Sequence, residues 1–187
     1  MNFLIIHGSY GNKDGNWFPW LKGELERLNH KVFLPQFPIG ANKQNLENWT
    51  KKIDELNIDF DENLIIIAHS IGPAFVLSLL EKRKCRTCFF VSGFLTFLEN
   101  KEYDKVNKTF VNKNFNWEKI KQNCSKFILY HGDNDPYVPL NKAKDFSKLI
   151  GVDLIVIPNG GHLNEESGYN EFNKLLINIK NELGMIK

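Results

Sequence analysis

What this chain lacks narrows it before any motif is read. No apolar run approaches the roughly 20 residues that a membrane-spanning helix requires. The opening stretch Met1-Asn-Phe-Leu-Ile-Ile-His7 carries no charged leader, and its apolar run is four residues long. It reads as a strand and not as a signal peptide, so the expected location is the cytoplasm. The net charge is only +2, from 24 Lys and Arg against 22 Asp and Glu scattered along the chain. Without a basic block, neither nucleic acid nor a membrane surface is expected as a partner. Cysteine is scarce: Cys85, Cys88 and Cys124 make no disulfide framework. Cys85 and Cys88 have CxxC spacing, but no second CxxC or paired histidine accompanies them, and the motif runs into an apolar strand. They read as structural thiols, and no metal site is assigned. Gly8-Ser-Tyr-Gly11 has neither the GxGxxG pattern nor the lysine of a phosphate-binding loop, and no cofactor is implied.

What remains is one domain, 1–187, with 42% hydrophobic and 25% charged residues, the composition of a globular protein with a sizeable core. Short apolar runs alternate with amphipathic ones. Phe3–Ile6, Val32–Leu34, Leu64–Ile67, Phe89–Val91, Phe127–Tyr130 and Leu154–Ile157 read as strands. Helices are expected from near Pro19, over Asn45–Leu56, Pro73–Glu81, Trp117–Gln122, Leu140–Leu149 and Glu171–Leu183. Strands apolar throughout, separated by helices, predict a six-stranded parallel sheet covered on both faces, with order 2-1-3-4-5-6. In such a sheet ligands bind at the carboxyl ends of the strands, by the topological switch point. The stretch Phe94–Lys113 has no clear period and is expected to border the pocket.

The chain is organised around Leu64-Ile-Ile-Ile-Ala-His-Ser-Ile-Gly-Pro-Ala-Phe75. A buried strand passes through Ala68-His-Ser-Ile-Gly72 straight into a helix, the strand–turn–helix context of a nucleophile elbow. So tight a turn leaves little room two residues before and after the serine, and Ala68 and Gly72 suit those places. Ser70 is therefore a candidate nucleophile at the positive end of a helix dipole. The plainer alternative is that its hydroxyl caps the helix.

A serine hydroxyl needs a base within hydrogen-bond reach, and the base needs an acid to orient it. Downstream of Ser70 come Asp135 and then His162, each just past a strand, in the Ser…Asp…His order of α/β-hydrolases. Asp133 competes for the role of acid. Asp135 is preferred because Pro136 and Pro139 stiffen its loop, and Asp133 is read as a loop-bonding residue. His7, His69 and His131 read as structural. An oxyanion hole needs two backbone N–H donors. The elbow supplies Ile71; the loop after the first strand offers Ser9, with Tyr10 second.

His7-Gly-Ser with Trp17-Phe-Pro-Trp20-Leu-Lys, Ala68-His-Ser-Ile-Gly-Pro, Trp117-Glu-Lys-Ile, His131-Gly-x-x-Asp-Pro-x-Val-Pro and Gly161-His-Leu-Asn together resemble the YdeN-like small serine hydrolases, the family that includes the human retinoblastoma-binding serine hydrolase. The resemblance runs from the first strand to Asn164. It implies a compact α/β-hydrolase fold with no large cap domain, and Ser70, Asp135 and His162 as nucleophile, acid and base. It supplies no substrate. The resulting expectation is a serine hydrolase of carboxylesterase type that cleaves small esters or amides through an acyl-enzyme on Ser70. Tyr10, Trp17, Trp20 and Phe94 are expected to wall its pocket. The alternatives are a protein-binding module of hydrolase fold with little activity, or an acyltransferase or thioesterase. A protein partner has no support in the sequence, which contains no Leu-x-Cys-x-Glu motif.

Overall fold

The structure is a computed structural model that describes residues 1–185; the last two positions of the expected domain lie outside the described residues. Six strands, β1 (Asn2–Ile6), β2 (Lys31–Phe33), β3 (Leu64–His69), β4 (Thr87–Val91), β5 (Lys126–Gly132) and β6 (Leu154–Ile157), form one sheet in the order 2-1-3-4-5-6. Every pairing is parallel. The expected α/β-hydrolase architecture is thus present, with the switch between β1 and β3.

The helices are α1 (Phe18–Arg27), α2 (Leu46–Asp54), α3 (Gly72–Leu80), α4 (Lys101–Asn107), α5 (Trp117–Asn123), α6 (Leu140–Ile150) and α7 (Asn173–Glu182), with a short 3₁₀ turn at Glu165–Ser167. They cover both faces of the sheet because the strands bury both of their side-chain sets. Leu4, Ile6, Ile66, Ala68, Cys88, Phe90 and Leu129 project into one core, where α2, α3 and α5 bring Trp49, Phe75 and Ile120. Phe3, Ile5, Ile65, Ile67, Phe89 and Val91 project into the other, closed by Phe18, Leu21 and Leu25 of α1 and Leu175 and Ile179 of α7. Each fully buried Ile, Leu or Phe contributes roughly 1.5–3 kcal/mol of transfer free energy before the entropy of ordering is subtracted.

Two local features set the site. Helix α3 is buried on nearly every side, only Ser78 being partly exposed, so it is fixed behind β3 like a peg. Segment 94–113, aperiodic in sequence, contains α4. Its N-terminus is closed by Asn100 Oδ1, which accepts from the N–H groups of Glu102 and Tyr103. Asp104 Oδ1 holds the preceding chain by accepting from Leu98 N–H at 2.7 Å. Local capping, and not an apolar stripe, makes this short helix.

Candidate active site

Ser70 sits at the turn from β3 into α3 with φ +60°, a left-handed conformation, uncommon for a serine, that its surroundings hold. Two constraints do so here. Ser70 N–H donates to Val91 O at 2.9 Å, anchoring the turn to β4. Gly72 allows the helix to start against β1: a Cβ there would stand 3.3 Å from Ile6 O and 3.1 Å from Ala68 Cβ. Helix α3 has Ile71 at its cap and no side chain closing its first turn, so the Ser70 hydroxyl is not used as a cap.

The loops after β5 and β6 meet beside the elbow. His162 Nδ1 lies 2.7 Å from Asp135 Oδ2. The other oxygen, Asp135 Oδ1, accepts from the N–H groups of Tyr137 and Val138 at 2.9 and 3.0 Å. Burial would raise this carboxyl, but the hydrogen bond and charge of His162, with those two N–H donors, outweigh it and hold the pKa below the ordinary 3.8. Asp133 faces elsewhere: its Oδ1 accepts from Asn159 N–H at 2.7 Å and ties the β5 loop to the β6 loop. Asn134 adds a second tie, accepting from Gly161 N–H at 2.7 Å. These loops approach so closely that a Cβ on Gly132 would stand 2.1 Å from Gly161 O.

The backbone of His162 is held as firmly as its ring. Its carbonyl accepts from His69 Nε2–H at 2.9 Å and from Ser92 Oγ–H at 3.0 Å. Burial pushes His69 down to about 3, so it stays neutral and able to donate from Nε2 alone. His7 is also lowered by burial. Its Nδ1–H donates to Gly8 O at 2.8 Å and its Nε2 accepts from Phe37 N–H at 3.0 Å, fixing the loop after β1. His131, likewise lowered by burial, donates from Nε2 to Val138 O at 2.9 Å. All three histidines hold loops.

In that first loop Tyr10 N–H is taken: it donates to Gln44 Oε1 at 3.0 Å. The N–H groups of Ser9 and Ile71 have no hydrogen-bond partner among the described residues. The Ser9 hydroxyl donates to Asn107 Oδ1 at 2.7 Å, and Gln44 Nε2 donates to the same oxygen at 2.8 Å. The buried Asn107 of α4 therefore braces the β1 loop, a link sequence reasoning missed.

A cavity of about 160 Å³ joins these parts, lined by Gly8, Ser9, Ser70, Phe94 and His162 among others. Phe94 is at the wall. Trp17, Trp20 and Tyr10 are not. Trp17 is fully buried among Phe18, Phe172 and the other residues of the α1–α7 core, where its indole N–H donates to Leu163 O at 2.9 Å. Trp20, in the first turn of α1, packs partly buried against the same core. Tyr10 stands outside the cavity, edge-on to Tyr103 with ring centroids 6.0 Å apart. In their place Leu98, Tyr103, Tyr137 and Val138 line the walls, and Asn16, Asn164 and Glu166 bring polar groups. The Tyr137 hydroxyl donates to Glu166 Oε2 at 2.6 Å, and its ring stands edge-on to His162.

The three cysteines are all buried and free. They lie toward the opposite end of the sheet, where β4 and β5 begin. No helix among the described residues is long and apolar enough to cross a membrane.

Comparison with known proteins identifies the family of this fold. YdeN of Bacillus subtilis (strain 168) is 27% identical over 169 residues, covering 88% of this chain and 87% of that protein. Serine hydrolase RBBP9 of Rattus norvegicus is 25% identical over 185 residues, covering 96% and 94%. The crystal structure of the B. subtilis ydeN gene product superposes with a TM-score of 0.87 at 25% identity, covering 98% of each chain. The family model described as serine hydrolase matches residues 3–181, nearly the whole of the fold built above, and this chain belongs to that family.

Proposed function

We propose that this serine hydrolase cleaves small esters or amides through an acyl-enzyme on Ser70, with His162 as base and Asp135 as the acid that orients it. The observation that carries the reading is the left-handed Ser70, φ +60°, at the end of a buried strand. Strain of this kind, of order 1–3 kcal/mol, persists where the surrounding structure over-determines it, and it clusters at reacting residues.

On this reading each part of the site has one task. Ser70 Oγ attacks the acyl carbon while its proton passes to His162 Nε2. The tetrahedral oxyanion is held by the N–H groups of Ser9 and Ile71, each such donor being worth about 10²–10³ in rate. The imidazolium returns the proton to the leaving alcohol or amine. Water, activated by the same imidazole, then releases the acid and restores Ser70. Asp135 keeps the Nδ1 proton in place and so keeps Nε2 free to accept.

The cavity supports a small substrate. At about 160 Å³ it is below the roughly 300–1,000 Å³ of drug-sized sites. The test is a series of p-nitrophenyl esters from acetate to laurate, with matching anilides. Highest kcat/KM for the shortest acyl groups is the expected result. Failure to turn over any ester or amide would overturn the hydrolytic reading and favour the binding-module alternative. Preference for long chains would overturn the small-substrate reading.

A further inference from the structure

Cys85 and Cys88, three residues apart, meet Cys124, 36 residues further on, in space. Cys85 lies in the loop before β4, Cys88 is the second residue of β4, and Cys124 caps α5 just before β5. The Sγ atoms of Cys85 and Cys88 are 3.4 Å apart, those of Cys88 and Cys124 are 3.7 Å apart, and all three lie within 4.8 Å of one another. A single thiophilic atom with bonds of about 2.3 Å holds tetrahedrally arranged sulfurs about 3.8 Å apart, so one atom fits among them with small adjustments.

Which atom is decided by charge and ligand count. No fourth His, Cys, Asp or Glu donor joins the group among the described residues, whereas a structural zinc site is closed by four ligands. Zinc(II) on three thiolates would also leave a net negative charge, and copper(I) a larger one. Cys88 is fully buried and Cys124 1% exposed, in the same core as Leu80, Ile120 and Phe127, where an uncompensated charge is strongly disfavoured. A trivalent arsenic centre avoids both problems. Its lone pair takes the fourth position, and its trithiolate is neutral.

We propose that Cys85, Cys88 and Cys124 form a binding site for trivalent arsenic, taken up as arsenous acid. Three As–O bonds and three S–H bonds break and three As–S bonds form. Each thiol proton leaves with a hydroxyl as water, and neither arsenic nor sulfur changes oxidation state. Cys124 Sγ–H donates to Lys126 O at 3.3 Å, which fixes the direction of its side chain. Entry is from the loop side, where Cys85 is 6% exposed between the exposed Lys84 and Arg86. The adduct welds the α3–β4 loop, β4 and the end of α5 together. It lies toward the end of the sheet away from Ser70, so it should stabilise the chain without blocking the catalytic cavity.

The test uses the reduced full chain with sodium arsenite. Native mass spectrometry should show one arsenic added and three protons lost, and arsenic X-ray absorption should show three sulfur neighbours. Fluorophosphonate labelling should be unchanged and the melting temperature raised. Cys124→Ser, with folding checked by circular dichroism, should bind roughly a hundredfold more weakly, because the third bond is lost from a pre-assembled set. Should that variant fail to fold, Cys85→Ser takes its place, and the wild-type sulfur count stands without either. No adduct, two sulfur neighbours, or equal affinity in the folded variant would overturn the proposal. So would zinc(II) binding as tightly through the same three sulfurs, which would make this a cation site.

Discussion

Asp133 and Asp135 stand two residues apart in one loop and face different partners. Asp133 Oδ1 accepts from the backbone of Asn159 at 2.7 Å, while Asp135 Oδ2 meets the His162 ring at 2.7 Å. Asp135→Asn should therefore lower kcat by roughly two to four powers of ten, because the amide can stabilise the wrong tautomer of His162. Asp133→Asn should cost less than about tenfold, since it removes a loop tie and leaves the ring alone. Steady-state kinetics on both variants, with folding verified, decides between them. Greater damage from Asp133→Asn would mean the acid is misassigned.

Gly8 is where the first loop passes the nucleophile. A Cβ placed there would stand 2.7 Å from Ser70 Cβ and 3.2 Å from Ser70 Oγ. Gly8→Ala must displace either the elbow or the loop that presents Ser9, and displacements of about 1 Å at a reacting centre can lower rates about a hundredfold. The expected outcome is a loss of that order in kcat/KM with a nearly unchanged melting temperature. Full activity in the Gly8→Ala variant would show that the loop and elbow are not tightly coupled.

Burial of His7, His69 and His131 makes stability depend on pH in a defined window. All three have folded pKa values below the ordinary 6.5, that of His69 falling to about 3. Below pH 6.5 the unfolded chain binds protons that the folded chain refuses, so their contribution is complete above about pH 6.5 and is lost as pH falls. Each can contribute a slope of up to about 1.4 kcal/mol per pH unit. Asp135, also lowered, begins to weaken the fold only as pH falls through its ordinary 3.8, so the histidine window lies above it. Urea unfolding at intervals between pH 7 and pH 5, values chosen to bracket the ordinary histidine range, should show this decline. His69→Gln, which keeps a donor for His162 O, should make it shallower by the His69 share, leaving that of His7 and His131. A wild-type stability that is level across the window would contradict the account.

The sheet and the elbow were legible because a doubly covered parallel strand writes itself as an unbroken apolar run, as Leu64–Ile67 does, and because the small residues Ala68 and Gly72 mark the tight turn. The prolines that follow Asp135 are the sequence feature that sets it apart from Asp133. Helix α4 was not, since its stability comes from Asn100 and Asp104 and its sequence has no periodic face. The tryptophans misled for a related reason. An aromatic pair near a loop does not reveal its direction, and Trp17, just ahead of α1, turns inward to donate to Leu163 O. The bracing of Ser9 by Asn107 spans 98 residues, a distance over which no local pattern in the chain carries information.

The account rests most heavily on Ser70, and fluorophosphonate labelling followed by peptide mapping tests it most directly. Wild-type protein should be labelled on Ser70 alone. Ser70→Ala should lose labelling completely while keeping its circular dichroism, because the change removes one oxygen from a side chain that caps no helix. His162→Ala should slow labelling by several powers of ten, as removal of a general base from a triad does. Persistent labelling of a folded Ser70→Ala variant would place the nucleophile elsewhere and contradict the central claim.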